Sequence, residues 1–250
     1  MRVSKLRKRS IVAVLALLLL AACGAPPARL LDRHTAASPA GAPSPSGSAA
    51  SRPAAREAPY HIDSSHSELR LLVYRAGVMA ALGHDHVIVN RALEGWVTFS
   101  GDLASAAFYL KVPTTGFVVD EDAARHQEGA DFSDEIDADA KAGTSHNMLG
   151  PAVLDAQEHP SITVQSVSIE PATAQAGGSA QATVRVSVAG HESSLVVPFA
   201  VDTSPSRLHA QVDFTVQQTR IGLTPFSIFL GALRVEDQLR VKLDLVALRD

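Results

Sequence analysis

The sequence predicts an all-β domain, an eight-stranded antiparallel barrel with a short helical insertion. In several segments apolar and polar residues alternate with a period of two, which is typical of strands with one buried face. Gly190-His191-Glu192 lies between two of these segments, as a tight hairpin turn requires. The segments are numerous enough to close a sheet into a barrel, and closure removes the unpaired edges of an open sheet. A β-sandwich remains the alternative on the same pattern.

The amino terminus has the pattern of an export signal. Basic residues within positions 1–9 precede the apolar run 11–20, which is about half the length that a transmembrane helix needs. The run leads into Leu20-Ala21-Ala22-Cys23, which contains the only cysteine of the chain. This segment resembles the lipobox of bacterial lipoproteins. We therefore expect residues 1–23 to be a lipoprotein signal peptide, with Cys23 carrying the lipid that attaches the chain to a membrane.

Residues 24–58 are rich in Ala, Pro, Ser and Gly, a composition that cannot bury a core and predicts a disordered linker. Gly24 follows the cysteine instead of an aspartate, which favours the periplasmic face of the outer membrane in a cell that has one. Residues 59–250 remain for the barrel domain, which has no cysteine and must be stabilised by burial alone. The net charge of −4, without a basic block beyond the signal peptide, argues against nucleic-acid binding.

The strand candidates cover the domain in order. The last is the clearest, because Leu239, Val241, Leu243 and Leu245 share one face of the strand and charged residues occupy the other. The remaining candidates are 69–75, 87–100, 106–112, 161–170, 182–188, 195–202 and 208–216. Between them, residues 120–159 contain few β-branched residues and many Ala, Asp and Glu, which predicts one or two short helices.

Several short motifs follow one another in an order that resembles the YceI-like family. They are Tyr60-His61-Ile62-Asp63, Gly83-His84-Asp85-His86, Gly95-Trp96-Val97-Thr98-Phe99, His159-Pro160-Ser161-Ile162 and Ile221-Gly222-Leu223-Thr224-Pro225-Phe226. The resemblance covers nearly the whole domain and none of the linker. It implies an extended lipocalin-like barrel whose interior holds a long isoprenoid chain, in an exported protein of the cell envelope. The acid- and alanine-rich stretch 120–143 departs from the family pattern, which leaves the ligand's identity open.

Five phenylalanines are candidate contacts for an apolar ligand. Phe108, Phe199 and Phe214 lie on strand faces that we expect to point into the barrel. Phe226 and Phe229 lie between the last two strands, where aromatic rings can close a barrel end or contact a ligand tail. Residues of this kind are more often ordinary core than ligand contacts, since any barrel must bury such faces.

Polar contacts are predicted at three positions. Arg220 suits a pyrophosphate at a barrel mouth through charge-assisted hydrogen bonds, or is simply an outward arginine on a strand end. His84 and His86 have the i, i+2 spacing that places both imidazoles on one face of a strand. They can bond backbone groups, contact a lipid head group, or bind a transition metal such as zinc together with His61 and His66.

The preferred function is a lipid-anchored protein that holds a polyisoprenoid-type amphiphile, as a carrier, a store or a stress-related factor. The alternative is a metal-binding envelope protein that uses His84 and His86. The sequence contains neither a nucleophile elbow nor a His-Glu-x-x-His helix, so an enzyme is not expected, and the preferred function needs no cofactor. The predicted partners are a polyisoprenoid or similar lipid and the membrane. The sequence leaves open whether the barrel is hollow and whether the chain forms a homodimer.

Overall fold

The structure is a computed structural model that describes residues 58–171 and 180–249. The predicted signal peptide, Cys23 and nearly all of the predicted linker lie outside the described residues. Among those that are described, no helix has the length and hydropathy that crossing a membrane would require.

Twelve strands in the described ranges form one sheet in which every pairing is antiparallel. They are β1 Tyr60–Ile62, β2 Glu68–Ala76, β3 His86–Asn90, β4 Glu94–Thr98, β5 Ala107–Pro113, β6 Phe117–Val119, β7 Ser161–Pro171, β8 Ala180–Val188, β9 His191–Thr203, β10 Arg207–Gln217, β11 Ser227–Ile228 and β12 Leu233–Leu248. Eight of these, β1, β4, β5, β7, β8, β9, β10 and β12, pair in a closed cycle. The predicted eight-stranded antiparallel barrel is therefore confirmed. β12 pairs with β1 to close the barrel and also with β2. From β2 the sheet continues through β3 to β6, outside the closed cycle.

The helical insertion contains α1, Asp122–Gln127, and α2, Ala138–Leu149, and both lie in the region where helices are predicted. α2 begins after Asp137, whose carboxylate accepts a hydrogen bond from the Ala140 N–H at 2.8 Å. This bond satisfies one of the free N–H groups of the first turn.

The single strand predicted over 87–100 is two strands, β3 and β4, which pair with different partners. The break follows Asn90, which is fully buried. Its side-chain oxygen accepts from the Ala92 N–H at 2.9 Å, and its amide donates to the Pro113 carbonyl at 2.8 Å. The Asn90 side chain thus bonds a backbone N–H that would otherwise pair with a neighbouring strand, and the chain turns here.

The insertion covers the outer face of β2 and β3. Leu72 of β2 and Val87 and Val89 of β3 form an apolar cluster with Ala124 of α1 and with Phe132. Val73 of β2 and Ile88 of β3 belong instead to the core inside the barrel. Four consecutive residues of β3, Val87 to Asn90, are therefore buried, on both faces of the strand. This double burial explains why β3 is apolar at consecutive positions instead of alternating.

Candidate functional site: an apolar cavity through the barrel

An elongated cavity of about 700 Å³ runs through the barrel. Inward residues of β12 line it from Leu233 to Leu245, a span of about 40 Å along the strand at about 3.3 Å per residue. Leucine, valine, isoleucine and phenylalanine make up most of its wall. Its volume lies within the range of about 300–1,000 Å³ that is typical of small-molecule sites. Its length and apolar wall suit one long hydrocarbon chain.

Four of the five candidate phenylalanines, Phe108, Phe199, Phe214 and Phe226, line this cavity. Phe229 does not, because it lies at the tip of a loop after β11 and its side chain is exposed. Ligand contact by the four lining residues stays a prediction.

Arg220 lies outside the cavity wall. It belongs to a 3-10 turn over 218–221 that follows β10, and the turn points Ile221 into the cavity while Arg220 is exposed. Two roles are predicted for Arg220, a head-group contact at a barrel mouth and an outward arginine on a strand end. Its exposed position agrees with the second, and contact with a head group stays a prediction.

His84 and His86 both line the cavity, near one end. The Nδ1 atom of His86 lies 2.6 Å from Oδ2 of Asp120, which is fully buried directly after β6. Oδ1 of Asp120 accepts from the Val87 N–H at 2.9 Å and from Nη1 of Arg125 at 2.7 Å. A buried carboxylate thus fixes the orientation of an imidazole that faces the cavity.

Asp120 is ionised in this arrangement. Burial by itself would raise its pKa, but the hydrogen bonds from His86, Val87 and Arg125 outweigh burial and hold the pKa below its ordinary value of 3.8. Arg125 is buried too, and it also donates to the carbonyls of Asp85 and Asp134. Its Nε has no hydrogen-bond partner among the described residues. Asp120 and Arg125 therefore form a buried ion pair beside the cavity.

The ion pair sets the hydrogen-bonding character of His86. An ionised carboxylate can only accept, so Nδ1 of His86 donates to Asp120. Nε2 is then left to face the cavity, where it can form a hydrogen bond with a second partner. Nε2 lies 3.4 Å from the hydroxyl of Thr144. A ligand hydroxyl at this end of the cavity would meet an imidazole nitrogen that is held in a fixed orientation, whereas most of the cavity wall is apolar.

α2 forms part of the cavity wall at the same end. Ala140, Gly143, Thr144, Asn147 and Met148 line the cavity and share one helix face through their i, i+3, i+4, i+7 and i+8 spacing. None of the residues of α2 is fully buried. A Cβ atom added at Gly143 would meet nothing within 4 Å.

The four histidines of the predicted metal site do not come together. His61 of β1 pairs with Leu248, whereas His86 pairs with Val73, which in turn pairs with Leu239. Leu239 and Leu248 are about 30 Å apart along β12 at about 3.3 Å per residue. His66 lies near His61 and bonds to Asp63. No three His, Cys, Asp or Glu residues in the described ranges are placed to hold a metal ion.

Comparison with known proteins places this architecture in a family. The family model for the YceI-like domain matches residues 60–247. Burkholderia cenocepacia BcnA is similar in structure, with 16% identity and a TM-score of 0.54 over 74% of this chain and 99% of that chain. A polyisoprenoid binding domain from Saccharophagus degradans has 13% identity and a TM-score of 0.49 over 76% and 98% of the two chains. Campylobacter jejuni YceI protein has 8% identity and a TM-score of 0.45 over 64% and 83%. No curated protein sequence matches the chain significantly.

Proposed function

The chain belongs to the YceI-like family, and on that premise we propose that it is an exported, lipid-anchored protein that holds a polyisoprenoid-type amphiphile in its barrel. The observation that carries this proposal is the apolar cavity through the barrel. Each Å² of apolar ligand surface removed from water contributes about 25 cal/mol, so a long chain gains affinity along the whole wall. The role is binding and retention, with no catalytic step.

The anchor limits where the ligand is taken up. Cys23 carries the lipid, and residues 24–58 connect it to the barrel as a tether of about 35 residues with an r.m.s. reach of roughly 30–35 Å. The barrel therefore works close to one membrane, on the periplasmic face of the outer membrane where the cell has one. Capture or storage of lipid fits this reach better than transport across a wide periplasm.

The polar end of the amphiphile lies beside His86 and Thr144. These residues lie at one end of the cavity, where the Thr144 hydroxyl is 3.4 Å from Nε2 of His86. A hydroxyl head group can form a hydrogen bond with Nε2 there. The apolar chain extends from there toward the opposite end, past Phe108 and Phe214.

The direct test is extraction of the natively purified protein with organic solvent, followed by mass spectrometry. We expect a long-chain isoprenoid alcohol or a related amphiphile at a reproducible ratio to protein. A delipidated sample should take up a fluorescent polyprenol to the same ratio. An extract without lipid and a delipidated protein that takes up no polyprenol would contradict the proposal.

Replacing Gly143 by tryptophan is expected to reduce the bound polyprenol several-fold. Gly143 lines the cavity at a solvent-exposed position and has open space at its Cβ position, so a large ring fits there and can obstruct the cavity without displacing backbone. Polyprenol titration of the delipidated variant measures the effect. Gly143→Ala is the control: it also removes the glycine from the helix, with a gain in helix propensity of about 1 kcal/mol, but it adds only a methyl group and should bind normally.

Replacing His86 by leucine is expected to weaken binding of a polyprenol about fivefold, the effect of losing one hydrogen bond of about 1 kcal/mol. Binding of a hydrocarbon of the same length should change little, because it has no hydroxyl to donate. Competition titrations with the two ligands measure the difference. Equal weakening for both ligands would mean that His86 shapes the cavity and does not bind the head group.

A further inference from the structure

Two loops expose large apolar side chains at one end of the barrel. The loop after β2 exposes Val78 (94%) and Leu82 (67%), and the loop after β11 exposes Phe229 (65%) and Leu230 (108%). We call these four residues the apolar tip. Scattered apolar residues are common on protein surfaces, but apolar side chains grouped at one place mark a site of interaction.

The two loops are held against each other. The Met79 N–H donates to the Ala232 carbonyl at 2.8 Å. Gly77, with φ of +96°, allows this approach, because a Cβ there would lie 2.3 Å from the same carbonyl oxygen. The apolar tip is therefore one surface and not two independent loop ends.

The backbone of the tip is strained in a way that keeps its side chains in solvent. Phe229 and Leu230 have φ values of 51° and 56°, a left-handed conformation that is rare for bulky residues and costs conformational free energy. Burial of the two side chains does not offset this cost, since both are exposed. The fold of residues 58–171 and 180–249 gives no reason for the placement of these two side chains, whereas an apolar partner would.

The apolar tip adjoins an opening of the cavity. Leu82 and Ile228 both line the cavity and are exposed to solvent. An apolar ligand that enters here passes directly from the tip to the cavity wall. The first described strand is at the opposite end, where the Tyr60 hydroxyl donates to the Ser204 carbonyl at 3.0 Å. The predicted tether thus joins the barrel at the end away from the tip.

Two arginines lie at the same end as the tip. Arg234 of β12 pairs with Ser227 of β11, at the base of the loop that carries Phe229 and Leu230. Arg220 lies in the 3-10 turn over 218–221, which precedes β11 in the chain. Both are exposed, and neither forms an ion pair with another described residue. Asp237, nearby on β12, already accepts from Thr219. Free guanidinium groups beside apolar side chains suit a membrane surface with anionic head groups.

We propose that the apolar tip docks the barrel onto a lipid bilayer, with Phe229 and Leu230 inserted at the boundary between head groups and acyl chains, and that ligand enters from the bilayer there. This inference rests on the proposed function, because it supplies the route by which the amphiphile reaches the cavity. A tether of about 35 residues spans at most roughly 120 Å when extended. That length exceeds the strand β12, about 50 Å long, so a barrel anchored by its far end can still turn its tip to the same membrane.

The test uses the full lipidated chain in vesicles of phosphatidylethanolamine and phosphatidylglycerol. Lipidation blocks the only native cysteine, Cys23, so a cysteine introduced by Leu230→Cys is the single site for a fluorescent label. We expect nitroxides on the lipid acyl chains to quench this label. The same label at Val196→Cys, an exposed apolar position on the barrel wall, should be quenched little.

A second readout is the rate at which a fluorescent polyprenol moves from vesicles into protein from which the bound ligand, but not the lipid anchor, has been removed. The double variant Phe229→Asn, Leu230→Asn should slow this transfer at least about tenfold and leave the amount bound at equilibrium unchanged. Asparagine tolerates the left-handed backbone, so the variant should fold at least as well as the wild type. Val196→Asn is the control and should transfer normally.

The outcomes separate this inference from the proposed function. If the label at position 230 stays as accessible to water as the label at 196, and transfer in the double variant is unchanged, the docking surface is refuted. Quenching at the tip in a protein that takes up no polyprenol supports docking and contradicts the proposed function. Shielding of the tip only after another protein is added would overturn the choice of a bilayer as partner.

Discussion

Replacing Asp120 by alanine is expected to lower the free energy of unfolding by about 3–5 kcal/mol, because it leaves the buried Arg125 guanidinium without its counter-ion. The Val87 N–H and Nδ1 of His86 lose their acceptor as well. Alanine also fits poorly at this position, where φ is +53°. Urea unfolding at neutral pH measures the change.

Asp120→Asn isolates the charge from the backbone, since asparagine tolerates the same left-handed conformation. Its cost should be smaller than that of alanine and should fall further when Arg125→Met is added, because the double variant has no unpaired buried charge. The surface pair between Asp213 and Arg240 is the matched comparison, with two contacts of 2.8 Å in an exposed setting. Asp213→Ala should cost only about 0.2–1 kcal/mol. Equal costs for the two alanine variants would show that the buried pair does not hold this region.

The ion pair between Asp120 and Arg125 is also expected to lose its contribution to stability in acid. The pKa of Asp120 in the folded protein is below its ordinary value of 3.8, so its contribution to stability is present above pH 3.8 and is lost as pH falls through the lower folded value. The stability difference between wild type and Asp120→Asn should therefore shrink in that range. Glu128, whose pKa is also lowered, despite its burial, by Lys242 and Arg70, remains in both proteins and cancels in the difference.

Replacing Gly95 by alanine is expected to destabilise the barrel by at least about 3 kcal/mol. Gly95 lies in β4 with φ of +149°, and a Cβ there would be 2.0 Å from the Tyr109 carbonyl oxygen of β5. The two strands must separate to accept it. Because β1 closes the barrel through only two residue pairs with β4, we expect the closure itself to weaken. Thermal unfolding and the yield of folded protein measure the effect.

Gly101→Ala separates the cost of a positive φ from the cost of the steric clash with the neighbouring strand. Gly101 also has a positive φ, +97°, but nothing lies within 4 Å of its Cβ position. Its replacement should cost only the conformational part, about 1 kcal/mol. If Gly95→Ala costs no more than this control, the contact between β4 and β5 at Tyr109 is looser than the structure shows.

The alternation of residues predicted the barrel well because one physical rule governs it: every second side chain of a strand leaves water. The inward set of β12, such as Leu239 and Leu243, is the set that the alternation identified. The turn at Gly190 follows from local chemistry, since Ala189 and Gly190 both have positive φ and join β8 to β9. Alternation could not show that the barrel is hollow, because packed and open interiors require the same apolar faces.

At the polar end of the cavity, the sequence predicts the histidines but not the buried ion pair that orients one of them. His86 stood out by its spacing from His84, but Asp120 and Arg125 lie in an acid-rich stretch where no sequence signal separates them from their exposed neighbours. Their burial depends on the insertion folding back over the outer face of β2 and β3, which is a tertiary event. The i, i+3, i+4 spacing around Thr144 was the available signal for the inner face of α2. It was weak because small and polar residues occupy that face.

β1, the strand that closes the barrel, is also the first strand on which a mechanical force applied from the amino-terminal side would act. β1 follows the predicted tether directly and is joined by two residue pairs to β4 and two to β12. A load applied through the chain would therefore reach the weakest seam of the barrel before any other strand. Tyr60 opposes it, since its buried ring lies under the Arg249 guanidinium at 4.4 Å and its hydroxyl bonds to the Ser204 carbonyl. Under such a load, the contacts of Tyr60 with Ser204 and Arg249 would resist the separation of β1 from the barrel, at the end opposite the apolar tip.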